Sequence, residues 1–338
     1  MSLPVLQPVE RRRRRRRARR SRAPLWLALA AVVAFGAGIG LGRERGGSHA
    51  AAAPRPNGFA RTHRNAQGRA HRAAQPLLVA TPAPRHAFAP RLTASAAILV
   101  DADSGRVLWA LRPHARRLTA STTKIMTAVL ALQRLEPHDV VTVTRRVTRV
   151  PLVKEGLRPG ERVQAWKLLY GLLLYSGNDD ALALAVGTAG TRSRFVSLMN
   201  LEARRLGLRD THYAGPSGVI DRDNYSSAWD LAALTRYAMR NPRFRAIVRT
   251  PRKEVKWAPP TFAKVYLNKN LLLTTFRGAD GVKTGWTTKA GHCLVASAHR
   301  GRTRLIAVVL RARDPYGDAR RLLTYGFRLG GSAPTPAK

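Results

Sequence analysis

The chain has 338 residues, a formal net charge of +41 and one cysteine. That length suffices for one large domain or two small ones, and a hydrophobic content of 45% excludes wholesale disorder. A single cysteine excludes an intramolecular disulfide framework and a multi-thiolate zinc site, while the positive excess fits either a polyanionic neighbour or Arg-favouring codon usage.

Arg11 to Arg17, with Arg19, Arg20 and Arg22, form a dense basic block. Residues 23–42 follow without a charged side chain, a length that crosses a hydrocarbon core as a helix. The basic block predicts a cytoplasmic tail over 1–22, a signal-anchor over 23–42 and export of everything after it to the cell membrane's outer face. Cleavage near Ala50–Ala53, giving a secreted protein, is the alternative. The adjoining span argues against a nucleic-acid partner for the Arg block. Residues 43–90 are rich in Ala, Pro, Arg and Gly with no sustained apolar period, and are expected to be a disordered linker.

A folded domain is expected over 91–330, with a flexible tail at 331–338. Apolar runs at 96–101 and 106–111 flank Asp103-Ser104-Gly105 and predict a β-hairpin. Helical spacing covers 120–135, then 164–175 and 179–186 with a break at Ser176-Gly177, then 193–206 and 227–239. The pattern then changes to strands over 281–287, 292–298 and 304–311, and a final helix over 314–327. Two early strands, a helical middle and three late strands predict an α+β fold. Its core is an antiparallel five-stranded sheet flanked by helices, with a helical subdomain.

Three short motifs stand in order: Ser121-Thr122-Thr123-Lys124, Ser176-Gly177-Asn178 and Lys283-Thr284-Gly285. Ser121 falls at a helix start, where free N–H groups favour a developing negative charge. Lys124, three residues on, shares that face and can reach the serine oxygen. A serine nucleophile needs a base, and an amine serves once burial or nearby cations lower its pKa. Lys283 is the candidate second cation. Ser176 follows the apolar run Leu172 to Tyr175, which can hold its hydroxyl at a cleft edge. The amide of Asn178 can hold a substrate carbonyl and N–H, and Gly285 on a strand permits close approach of a substrate backbone.

This ordered set resembles the signature of penicillin-binding proteins and serine β-lactamases. The stretches LTASTTKIMTAVLAL, LLLYSGNDDALALA, YAGPSGV and GADGVKTGWTTKAGHCLVASA are similar, more narrowly, to the D-alanyl-D-alanine carboxypeptidases. The resemblance covers about 96–329 and implies a β-lactamase/DD-peptidase-like fold. It implies acylation of Ser121 by a peptidoglycan stem peptide, with Lys124 as base and Ser176 relaying a proton to the leaving amine. It implies that Asn178 positions the substrate amide, that Lys283 and Thr284 hold the terminal carboxylate, and that the N–H groups of Ser121 and Trp286 form the oxyanion hole. Gly285 completes the substrate-binding strand. No cofactor or metal is implied, and β-lactams are implied as covalent inhibitors. Alternatives with the same residues are a DD-endopeptidase cutting cross-links, a β-lactamase, and a non-catalytic penicillin-binding scaffold. Many relatives add a β-rich domain ending in a membrane-binding helix. This sequence stops soon after its final helix, so the membrane link is expected from residues 23–42.

Other conspicuous residues read as structural. Cys293 is expected in the core, because its neighbour His292 points to the opposite strand face. The nine His show no metal-ligand spacing. Asn268 and Asn270 are expected to support the cleft, and Ser226-Ser227 to cap the helix that begins near Trp229 and Asp230.

Overall fold

The computed structural model describes residues 77–79, 89–219, 223–257 and 263–330, all within one compact unit spanning Ala70–Lys338. The expected tail, membrane span and terminal residues 331–338 lie outside the described residues, as does most of the linker. Among the described residues no helix is long and apolar enough to cross a membrane.

The hairpin of β1 (Ala96–Asp101) and β2 (Val107–Leu111) forms as its turn chemistry directs. Asp101 Oδ1 accepts from Ser104 N and Ser104 Oγ, each at 2.7 Å. A 3-10 turn (Ala120–Thr123) then leads into α1 (Lys124–Arg134). Next come β3 (Val140–Thr142), α2 (Arg145–Thr148), β4 (Arg162–Gln164) and α3 (Ala165–Tyr170). After a π-helical turn (Gly171–Tyr175) follow α4 (Asn178–Ala189), α5 (Arg192–Arg205), α6 (Ala228–Ala238) and α7 (Pro242–Val248). The chain continues through β5 (Arg252–Val255), β6 (Lys264–Leu267) and α8 (Leu272–Thr275). It finishes with β7 (Ala279–Thr287), β8 (Gly291–Arg300), β9 (Thr303–Ala312) and α9 (Pro315–Gly330).

The main sheet has five strands in the order β2-β1-β9-β8-β7, and every neighbouring pair is antiparallel. Pairing of β1 with β9 joins the two ends of the domain. Alternation along the strands sorts the side chains into two layers. Ile98, Val100, Val295, Ile306 and Val308 face the helical body, where they meet Leu231, Ala232 and the α1 side chains. Leu99, Leu294, Ala296, Leu305 and Ala307 face α9, which covers them with Ala319, Leu322 and Leu323. The fully buried Asp318 of α9 accepts from Thr93 N, Thr93 Oγ1 and Ala94 N, so α9 also fastens the entry to β1.

Two differences from the sequence reading have physical causes. Leu77–Val79, expected as linker, belong to the folded body. Val79 N donates to Gly105 O at 2.9 Å and Val107 N to Val79 O at 3.1 Å, while Leu78 is buried. The edge strand β2 offers unpaired backbone groups, and this short apolar run takes them. The expected helix over 164–175 is α3 followed by a π-turn, because the chain widens before Ser176.

Candidate active site

The site assembles where α1, the α3–α4 junction and β7 meet. Ser121 lies in the 3-10 turn just before α1, and Lys124 is the first residue of the helix. Lys124 Nζ donates to Ser121 Oγ at 2.9 Å, to Asn178 Oδ1 at 2.8 Å and to Ser217 O at 3.3 Å. The ammonium group thus joins the first two motifs. Burial pushes the Lys124 pKa down to about 7, with Asp180 opposing and Lys269 assisting.

Ser176 closes the π-turn in the left-handed region, at φ +74°. Its N–H and that of Gly177 both donate to Gly171 O, at 2.8 and 3.2 Å, which ends the helix and turns the chain into α4. This conformation is unfavourable for a residue with a Cβ, and it places Ser176 on the wall of the cavity that holds Ser121. Asn178 is buried, and both ends of its amide are engaged: Oδ1 by Lys124, and Nδ2 donating to Pro151 O at 3.1 Å. Asp179 fastens the same loop, since its carboxylate accepts from Glu155 N, Gly156 N and Leu157 N.

Strand β7 passes directly beside the nucleophile. A Cβ on Gly285 would stand 3.0 Å from Ser121 N and 2.9 Å from Thr119 O, so only glycine lets the strand approach this closely. Thr284 and Gly285 line the cavity, and Trp286, 58% exposed, stands at its mouth. Lys283 is buried behind that wall, with Nζ donating to Thr284 O at 3.1 Å. Burial, Lys124 and Lys269 together hold its pKa well below the ordinary lysine value.

The cavity has a volume of about 230 Å³. Among the described residues no cluster of His, Cys, Asp and Glu could hold a metal ion. Cys293 is buried, as expected, and burial pushes its thiol up to about 11. Asn270 Nδ2 donates to Gly281 O of β7 at 2.7 Å, while Asn268 Nδ2 donates to Val248 O at the end of α7 at 3.1 Å. Ser227 caps α6 by accepting from Asp230 N.

With this geometry in view, comparison with known proteins is decisive. Residues 83–314 match the peptidase S11 family model, D-alanyl-D-alanine carboxypeptidase. The chain belongs to that family. It is 35% identical over 229 residues to the D-alanyl-D-alanine carboxypeptidase DacF of Bacillus subtilis, covering 66% of this chain and 58% of that protein. It is 37% identical over 256 residues to DacA of Escherichia coli, covering 71% and 62%. The chain therefore spans about three fifths of the length of these curated relatives. The crystal structure of the Streptomyces K15 DD-transpeptidase superimposes with a TM-score of 0.68 at 33% identity, covering 71% of this chain and 99% of that one. Penicillin-binding protein 6B from Escherichia coli gives 0.67 at 35%, covering 73% and 81%. The five-stranded sheet with flanking helices is thus the DD-peptidase-like α+β fold.

All eight expected site residues come together around the Ser121–Lys124 pair. Beside the expected second cation, Lys283, whose own pKa Lys124 depresses, a further lysine, Lys269, lowers both. Lys269 lines the cavity and was missed, because a lone lysine between Asn268 and Asn270 carries no motif. The Pro216–Gly218 turn was also missed as a site element. Thr127 Oγ1 donates to Pro216 O at 2.6 Å, Ser217 O receives Lys124, and a Cβ on Gly218 (φ +73°) would overlap Ala120 O. Its signal was the stretch YAGPSGV, quoted for resemblance without a role.

Proposed function

We propose that the chain is a serine-type D-alanyl-D-alanine carboxypeptidase that removes the terminal D-alanine from peptidoglycan stem peptides through an acyl-enzyme. The observation that carries this reading is Lys124 Nζ at 2.9 Å from Ser121 Oγ, in a buried setting that makes the amine a base near neutral pH. Neutral Lys124 takes the Ser121 proton as Oγ attacks the carbonyl of the penultimate D-alanine. The N–H groups of Ser121 and Trp286 face the developing oxyanion, at about 3 kcal/mol per donor in comparable sites. Ser176 relays a proton to the leaving nitrogen, the C–N bond breaks, and D-alanine departs. Water then cleaves the ester and returns Ser121 to its resting state.

Thr284 and Lys269 at the cavity wall, with Lys283 behind them, suit the substrate's terminal carboxylate. An arriving carboxylate raises the proton affinity of Lys283, which burial holds low in the empty site. Asn178 orients Lys124 and borders the acyl side. Glu202, the one glutamate between 179 and 218, is committed to Arg205 and Gln133, which counts against a β-lactamase-type deacylating base there. The Arg block and uncharged stretch at 1–42 support a membrane-tethered enzyme with its catalytic domain outside the cytoplasm.

Covalent labelling of the full chain by a fluorescent penicillin tests the assignment. Labelling is expected in the parent and abolished in Ser121→Ala. Labelling that survives Ser121→Ala contradicts the nucleophile.

A further inference from the structure

A second cavity, of about 270 Å³, shares no lining residue with the cavity that contains Ser121. Asn178 and Ser217 form part of its wall, and both accept from Lys124 Nζ, at 2.8 and 3.3 Å. A single ammonium group therefore connects this wall to the nucleophile. Three arginines line the cavity: Arg146 on α2, Arg149 just after it, and Arg192 at the start of α5. One Arg192 nitrogen donates to Ala214 O at 2.7 Å, which fixes that side chain to the turn carrying Ser217. Arg146 and Arg149 are exposed, and no carboxylate pairs with them among the described residues. Asp179, the acid beside Asn178, is turned to the backbone of 155–157 instead. Val150, Pro151 and Leu182 supply an apolar flank.

Arginine forks recognise carboxylates, and an apolar flank suits the methylene stem that carries one. The direction of the chain follows from the carboxypeptidase reading, on which this inference rests. If the departing D-alanine lies toward Thr284 and Lys269, the acyl half of the peptide leaves Ser121 past Asn178. We propose that the arginine-lined cavity is the subsite for the residue preceding the acylated D-alanine, and that it selects a side chain ending in a free carboxylate.

The test uses the full chain and three acetylated tripeptides ending in D-Ala-D-Ala, with L-2-aminoadipate, L-norleucine or L-lysine as the first residue. The readout is the ratio of kcat/KM between peptides. The aminoadipyl peptide is expected to exceed the norleucyl peptide by about five- to tenfold, mainly through KM. In R146E/R149E the order is expected to reverse, with the lysyl peptide above the aminoadipyl one. Penicillin labelling of the variant shows that it has folded. Should it fail to label, Arg149→Gln alone is expected to lower the ratio about threefold. No aminoadipyl preference in a parent enzyme that cleaves the norleucyl peptide, or a preference untouched by the substitutions, overturns the subsite alone. Turnover of none of the three peptides overturns the carboxypeptidase reading itself.

Discussion

Lys124 and Asn178 meet end to end: the lysine ammonium donates to Asn178 Oδ1 at 2.8 Å, while the same nitrogen reaches Ser121 Oγ at 2.9 Å. A residue from the second motif thereby aims the base of the first. Because Lys124 is fully buried, its protonation state governs both chemistry and stability.

Acylation is expected to rise with pH as Lys124 loses its proton. Its pKa of about 7 places the limb near neutrality, with about a tenfold fall per unit below it. The check is the rate of penicillin acylation of the full chain from pH 5 to 9. A flat profile across that range contradicts a Lys124 base.

The same group sets a stability slope. An unfolded lysine stays protonated up to its ordinary value of 10.5, whereas folded Lys124 releases its proton near 7. Between these values the unfolded state binds more protons, so this group makes stability rise with pH. Lys124→Met, which keeps the volume and removes the buried amine, is expected to raise Tm more at pH 6.5 than at pH 10 while abolishing acylation. Calorimetry at the two pH values checks it, and an equal change at both contradicts the account.

Ser176 combines strain with chemistry. Ser176→Gly is expected to be more stable than Ser176→Ala by about 1 kcal/mol, because glycine accepts φ +74° without a Cβ penalty. Both are expected to lose about a hundredfold or more in peptide turnover, having lost the proton relay. Denaturant melts and D-alanine release measure the two effects separately.

Gly285→Ala is expected to slow acylation by more than tenfold. Its Cβ would press on Ser121 N and Thr119 O, displacing the nucleophile turn from β7. Stopped-flow labelling reads the rate, and unchanged acylation contradicts the proposed role of that close approach.

A buried acid pair stands behind the second motif. Glu155 Oε2 and both Asp180 oxygens are buried, the two carboxyl groups hydrogen-bond to each other through a shared proton, and a Cβ on Gly171 would overlap both side chains. Burial and Glu155 hold Asp180 well above the usual carboxylate range. The folded state then keeps a proton that the unfolded state releases, so this group makes stability fall as pH rises. Asp180→Asn is expected to raise Tm relative to the parent, and more at pH 9 than at pH 5.

What was legible in the sequence was what is local. Ser121 and Lys124 are three residues apart on one helical turn, and the strand alternation of 96–101 and 304–311 states its own two faces. The small elements β3 to β6 run three or four residues each, too short for periodicity to register. The partners of the motif residues were equally hidden. Asn178 bonds Pro151 O across 27 residues, and Lys124 bonds Ser217 O across 93. Lys269 acts on Lys124 and Lys283 only because the Asn268 and Asn270 side chains fasten its loop to 248–250 and to β7.

The most direct test of the central claim is mass spectrometry of a muropeptide mixture after incubation with the full chain. The account predicts that monomeric pentapeptides shorten by one D-alanine. Cross-linked dimers falling to monomers, with the pentapeptides untouched, would contradict it and make the enzyme an endopeptidase.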